Sequence, residues 1–126
     1  MRVVIADDSD LLRDRVRAAL SGIKNVEIVG EARNGIEALH LLIEKDPDYL
    51  IMDIKMPGMN GISVLEKSRE LDTRCKICIM TNYPCKSYRE KCFAEGAHYF
   101  IDKNLDFEKM IKIFSDLSTR GVALVI

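Results

Sequence analysis

Five polar residues stand just behind short apolar-rich runs, and their types together describe one chemistry. Val3 to Ala6 is followed by Asp7-Asp8, Tyr49 to Met52 by Asp53, Lys76 to Met80 by Thr81, and Ala97 to Asp102 by Lys103. Three carboxylates gathered in one place repel one another unless a cation relieves them or a proton neutralises one. Donors that are all oxygen suit a hard divalent ion, Mg²⁺ first and Mn²⁺ second, which typically takes one or two carboxylates, waters and a phosphate oxygen. Acids, a divalent ion, a hydroxyl and an ammonium are the ingredients of phosphoryl transfer onto a carboxylate. The cations screen the transferring group while one carboxylate attacks to give an acyl phosphate. Asp53, the central acid, is expected as the acceptor. Asp7 and Asp8, with Asp53 and the main-chain carbonyl of Lys55, are expected to hold the metal. Lys103 would pair first with Asp53 and afterwards with a phosphoryl oxygen, and Thr81 would donate to another. Each of these residues alone is an ordinary turn opener, cap or solvated charge. One at each successive strand end is a candidate site.

The elements that must position them follow from periodicity. Ser9 or Asp10 caps a first helix whose Leu12, Val16, Ala19, Leu20 and Ile23 recur at helical spacing, with arginines on the outer face. Val26 to Ala32 reads as a second strand. A second helix carries Ile36, Leu39, Leu42 and Ile43 inward and closes at Asp46-Pro47, because the residue before a proline resists helical geometry. Tyr49 to Met52 is a third strand, and Pro57, Gly58 and Gly61 make the turn behind it. Ile62, Leu65 and Leu71 face inward on a third helix. Lys76 to Met80 is a fourth strand, and a fourth helix with Tyr88, Cys92 and Phe93 ends at Gly96. Ala97 to Asp102 is a fifth strand. Phe107, Met110, Ile111, Phe114 and Leu117 form the stripe of a fifth helix. Five βα units joined by short connections predict a doubly wound α/β fold, a parallel sheet in the order 2-1-3-4-5. In that order the first and third strands are neighbours, and their carboxyl ends border the crevice where ligands bind.

Composition limits the alternatives. At 126 residues the chain is one domain with 48% hydrophobic and 31% charged residues, an ordinary globular balance. A formal charge of -1 provides no basic field for nucleic acid or an anionic membrane, so no direct DNA binding and no membrane partner are expected. The N-terminus has no signal-peptide pattern and no run is long enough to span a bilayer, so a cytoplasmic location is expected. Four cysteines include the spacing Cys75-Lys76-Ile77-Cys78, but residues three apart on a strand face opposite ways. Cys85 and Cys92 lie roughly 10 Å apart along a helix, so free thiols are expected. The apolar tail 121–126 either docks, mediates association into a dimer, or continues into a longer parent chain.

The acid pair Asp7-Asp8, the segment from Met52 through Asp53, Ile54, Lys55, Met56, Pro57, Gly58, Met59 and Asn60 to Gly61, Thr81, and the run Gly96 to Lys103 together resemble a response-regulator receiver domain of two-component signalling, of the CheY-like, flavodoxin-like type. The resemblance covers residues 1–120. It implies Mg²⁺-dependent phosphorylation of Asp53 by a histidine kinase or histidine phosphotransfer protein. It also implies a switch in which Thr81 moves toward the phosphoryl group and Phe100 turns inward, reshaping the face of the fourth helix, fifth strand and fifth helix for a downstream target. Leu11, Leu12 and Asn104 would lie where the phosphodonor docks. Two positions depart from the common pattern. Asn104 replaces the proline many relatives carry after the lysine, and a cis bond there without proline would cost roughly 3 kcal/mol. Lys55 and Tyr83, both bulky, occupy the positions flanking the attacking water and are expected to slow hydrolysis of the acyl phosphate.

Three other readings remain open from sequence. A phosphohydrolase of the haloacid dehalogenase type would want a second acid where Lys55 stands. A flavodoxin-like cofactor binder would meet phosphate with Asp7-Asp8. A receiver-fold interaction module that is never phosphorylated would have no use for the full set of five residues.

Overall fold

The computed structural model describes residues 1–123, with side chains described through Thr119. Ten elements alternate along the chain: β1 (Arg2–Ala6), α1 (Asp10–Ser21), β2 (Glu27–Ala32), α2 (Gly35–Lys45), β3 (Tyr49–Met52), α3 (Gly61–Glu70), β4 (Lys76–Thr81), α4 (Lys86–Ala94), β5 (Tyr99–Asp102) and α5 (Phe107–Ala123). The strands form one parallel sheet in the order β2-β1-β3-β4-β5, the expected doubly wound topology. The expected apolar tail over 121–126 lies outside the residues whose side chains are described.

Strand alternation divides the interior into two cores, one on each face of the sheet. Val4, Ala6, Leu50, Met52, Ile77 and Ile79 point to one face and meet Ala38 and Leu42 of α2, Val64 and Leu65 of α3, and Cys92 of α4. Val3, Ile5, Tyr49, Ile51, Cys78 and Met80 point to the other and meet Val16 and Leu20 of α1 with Met110 and Phe114 of α5. Strands buried on both faces are why these runs are continuously apolar rather than alternating with polar residues. Cys75 and Cys78 lie in opposite cores, and all four cysteines are free as expected.

Local chemistry starts and stops the helices. Ser9 Oγ accepts from the Leu12 amide at 3.2 Å, Asn34 Oδ1 from Glu37 at 2.8 Å, and Asn60 Oδ1 from Ser63 at 3.0 Å, each satisfying an otherwise orphan donor. Gly96, at φ +102°, turns the chain out of α4 through a backbone region that side chains rarely enter.

Several expected faces turn out differently. Ile36, Ile43 and Leu71 are half or more exposed, at 51%, 62% and 50%, and do not line the core. In α2 the buried face runs through Gly35, Ala38 and Leu42: Gly35 lies against the main chain of Met59, where a Cβ would come within 1.9 Å of the carbonyl oxygen, and Ala38 and Leu42 join the core, which leaves the neighbouring isoleucines outward. Leu71 follows the last turn of α3 as its C-cap. Arg13, expected outside with the other arginines of α1, is buried at 6% exposure, where its guanidinium meets the Asp7 carbonyl and the carboxylates of Asp10 and Glu31. β2 starts one residue later than expected and β5 two. Ahead of β5, His98 already bonds across to β4, its amide donating to the Ile77 carbonyl at 2.8 Å.

Candidate functional site

The sheet ladder continues one residue beyond the strands, and this extension seats the polar residues. The Asp7 amide donates to Ala32 at 3.0 Å, the Asp53 amide to Ala6 at 3.1 Å, and the Lys103 amide to Thr81 at 3.0 Å. Asp7, Asp53 and Lys103 are therefore positioned by main-chain bonds to the adjacent strand, and their side chains leave from the carboxyl edge of the sheet. The turn behind Asp53 is closed by Gly61, whose amide donates to the Ile54 carbonyl at 2.7 Å. A Cβ at Gly61 would come within 2.4 Å of the Asp53 carbonyl oxygen, so only glycine lets α3 begin this close to the acid.

At the centre one ammonium serves two carboxylates. Lys103 Nζ donates to Asp7 Oδ2 at 2.5 Å and to Asp53 Oδ2 at 2.7 Å, with all three residues buried. Asp53 Oδ1 accepts from the amides of Ile54 at 2.7 Å and Lys55 at 3.4 Å. Asp7 Oδ1 accepts from Ser9 at 2.8 Å. Burial opposes the charge of Lys103, but its two acid partners outweigh that and hold its pKa above the ordinary lysine value. Burial likewise opposes the charge of Asp7; its bonds to Lys103 and Ser9 offset this only in part, so its carboxyl lies above the usual carboxylate range. Two buried anions sharing one cation leave an excess of negative charge. Asp8, exposed at the rim, adds to it, and carboxylate oxygens of Asp7, Asp8 and Asp53 lie within 4.8 Å of one another. An all-oxygen set of this spacing and charge suits a hard divalent cation.

The remaining expected residues border this centre. Thr81 is fully buried at the end of β4, and its Oγ1 accepts from the Tyr83 amide at 3.0 Å. Lys55 Nζ lies 4.1 Å from the centre of the Tyr83 ring and 5.9 Å from that of Tyr88, a cation–π bridge joining the loop after β3 to the start of α4. Tyr88 was expected only as part of a helix stripe; its role beside Lys55 depends on a contact between distant segments that periodicity does not register. Phe100 is buried, its ring 6.4 Å from Phe93, and the Arg89 guanidinium stands over both rings. The Lys103–Asn104 bond is trans, as are all described peptide bonds, and the Asn104 amide donates to Asp102 Oδ1 at 2.8 Å. Next to Lys103 opens a groove of about 200 Å³ lined by Leu11, Leu12, Arg15, Asn82 and Asn104.

The response regulator receiver domain model matches residues 3–115, nearly the whole chain. The protein belongs to the receiver family. A halobacterial relative, the chemotaxis protein CheY of Halobacterium salinarum, is 32% identical over 118 residues, covering 94% of this chain and 97% of the relative. The transcriptional regulatory protein YhcZ of Bacillus subtilis is 32% identical over 112 residues, covering 89% of this chain and 52% of the relative. Among solved structures, the receiver domain of a NarL response regulator from Mycobacterium tuberculosis superposes with a TM-score of 0.86 at 30% identity, over 94% of this chain and 95% of that one. The receiver thus spans about half the length of some of the curated relatives it matches. Among the described residues no helix is long and apolar enough to cross a membrane.

Proposed function

We propose that this receiver is a phosphoacceptor, taking a phosphoryl group from a phosphohistidine onto Asp53. The observation that carries the proposal is the shared ammonium. Lys103 bridges Asp53 and Asp7 inside a buried acid cluster that still carries more negative than positive charge, and this supports a site that receives a further cation. A carboxylate oxygen of Asp53 forms a bond to phosphorus as the phosphorus–nitrogen bond breaks, and the electron pair stays on the imidazole nitrogen, which then takes up a proton. Asp7, Asp8 and Asp53, with the Lys55 carbonyl, would hold Mg²⁺ or Mn²⁺, which when bound neutralises charge on the phosphoryl oxygens. Lys103 follows the charge from the Asp53 carboxylate to a phosphoryl oxygen. Thr81, whose Oγ1 accepts from the Tyr83 amide, would turn its hydroxyl to donate to another phosphoryl oxygen, and the packing of Phe100 against Phe93 and Arg89 would adjust with it, altering the surface of α4, β5 and α5 seen by a downstream protein.

The groove beside Lys103, with Leu11 72% exposed at its lip, supports docking of a histidine kinase or histidine phosphotransfer protein there. A formal charge of -1 gives these 126 residues no net basic field of the kind that holds DNA, and the transcriptional role named for longer relatives is not assigned to this receiver. The reading therefore places signalling in protein contacts rather than direct DNA binding.

Incubation with Mg²⁺ and a small acyl-phosphate donor, followed by intact mass, tests the proposal. The native protein should gain one phosphoryl group and Asp53→Ala none. Failure of the native chain to label, or equal labelling of the variant, would end this account.

A further inference from the structure

Arg13, in α1, is buried at 6% exposure, and the phosphoacceptor chemistry above makes no use of it. Its guanidinium is divided among three oxygens from different parts of the chain. Nη1 donates to the main-chain carbonyl of Asp7 at 2.5 Å, Nη2 pairs with Asp10, and Nε lies 3.4 Å from Glu31 Oε1 on β2. Glu31 is itself held at 2.7 Å by Arg17, which also takes Asp14 at 2.6 Å. Burying a guanidinium is unfavourable unless its donors are met, and a planar fork met from three directions is a task that a lysine cannot perform. The Ser9 amide fixes the Asp7 carboxylate in the same turn, so this residue is gripped by both its main chain and its side chain.

We propose that Arg13 is a positioning residue for the acid pair. By holding the Asp7 carbonyl it fixes the turn from which Asp7 and Asp8 leave the sheet, and so sets the affinity of the acid cluster for a divalent cation. The inference rests on the reading of Asp7, Asp8 and Asp53 as metal ligands. Charge alone predicts the opposite sign: a cation removed from beside an acid cluster strengthens metal binding, whereas a slackened turn weakens it. Groups that orient metal ligands from behind are worth roughly tenfold or more in affinity.

The test is Mn²⁺ affinity of the full chain, read from the free-ion electron paramagnetic resonance signal, for the native protein, Arg13→Gln and Arg13→Lys. Circular dichroism at the assay temperature establishes that each is folded. Both variants should bind roughly tenfold more weakly, because neither reproduces the fork. If Arg13→Gln does not fold, Arg13→Lys alone decides. Equal or tighter binding by either folded variant overturns the inference while leaving the metal-site reading intact. A native protein that binds no Mn²⁺ overturns both.

Discussion

A buried lysine between two acids has a cost and a benefit that can be separated. Removing Lys103 as Lys103→Met leaves the Asp7 and Asp53 carboxylates, both nearly inaccessible, without their shared counter-charge. Breaking such a buried pair by deleting one partner costs about 3 kcal/mol. The variant should lose roughly that much stability in urea unfolding with chelator present, and excess Mg²⁺ should return more of it than Mg²⁺ adds to the native protein. A loss that Mg²⁺ leaves untouched would mean the acids do not gather a cation. The Lys55 ammonium lies 4.1 Å from the centre of the Tyr83 ring, and both are bulky residues close in sequence to the site residues Asp53 and Thr81. Replacing both by alanine should shorten the lifetime of the acyl phosphate severalfold, followed by decay of the labelled mass. A lifetime equal to or longer than the native one would remove their shielding role.

Three strands are tied together at the sheet edge away from the acids. Asp48, just ahead of β3, accepts from the Arg2 amide at 2.7 Å and from Arg74 Nη1 at 2.6 Å, while the Lys76 amide donates to its carbonyl at 3.0 Å. Partial burial opposes its charge, but the Arg2 amide and the Arg74 guanidinium outweigh it, and its carboxyl lies below the usual carboxylate range. A group whose folded pKa is depressed stabilises the fold above its unfolded value of about 3.9, and that contribution is lost as pH falls through the lower folded value. Asp48→Asn should therefore lower stability at neutral pH and flatten the acid limb of the stability profile; parallel profiles would contradict this. The elements themselves were largely legible in the sequence, because doubly buried strands are continuously apolar and Ser9 and Gly96 have stereochemical reasons to stand where they do. The face of α2 was not. In a helix as apolar as Ile36 to Ile43, periodicity cannot choose an inner side, and Ala38, which lies in the core, carries a weaker hydrophobic signal than the isoleucines and leucines around it. Arg13 was missed because its place is fixed by carbonyl and acid partners that only the fold brings together.

The molecule as a whole separates chemistry from packing. The five residues singled out from strand ends stand along the carboxyl edge of the sheet, and order 2-1-3-4-5 made that edge readable in advance; the contacts among Lys55, Tyr83 and Tyr88 depend on loop shape and were not. Phe114 lies fully buried in the core between the sheet, α1 and α5, edge-on to Tyr49 at 5.3 Å. Phe114→Ala should cost about 4 kcal/mol in urea unfolding, yet leave Mn²⁺ affinity unchanged where the protein is still folded. A selective loss of metal binding without loss of stability would show that the two faces are not energetically separate from the edge. The amides of Asp7, Asp53 and Lys103 belong to the same ladder as the strands. The main chain that seats the reactive groups is therefore held by the sheet, and deuterium from the solvent should replace these three amide protons as slowly as those of the strands beside them, while the side chains stay free to trade partners.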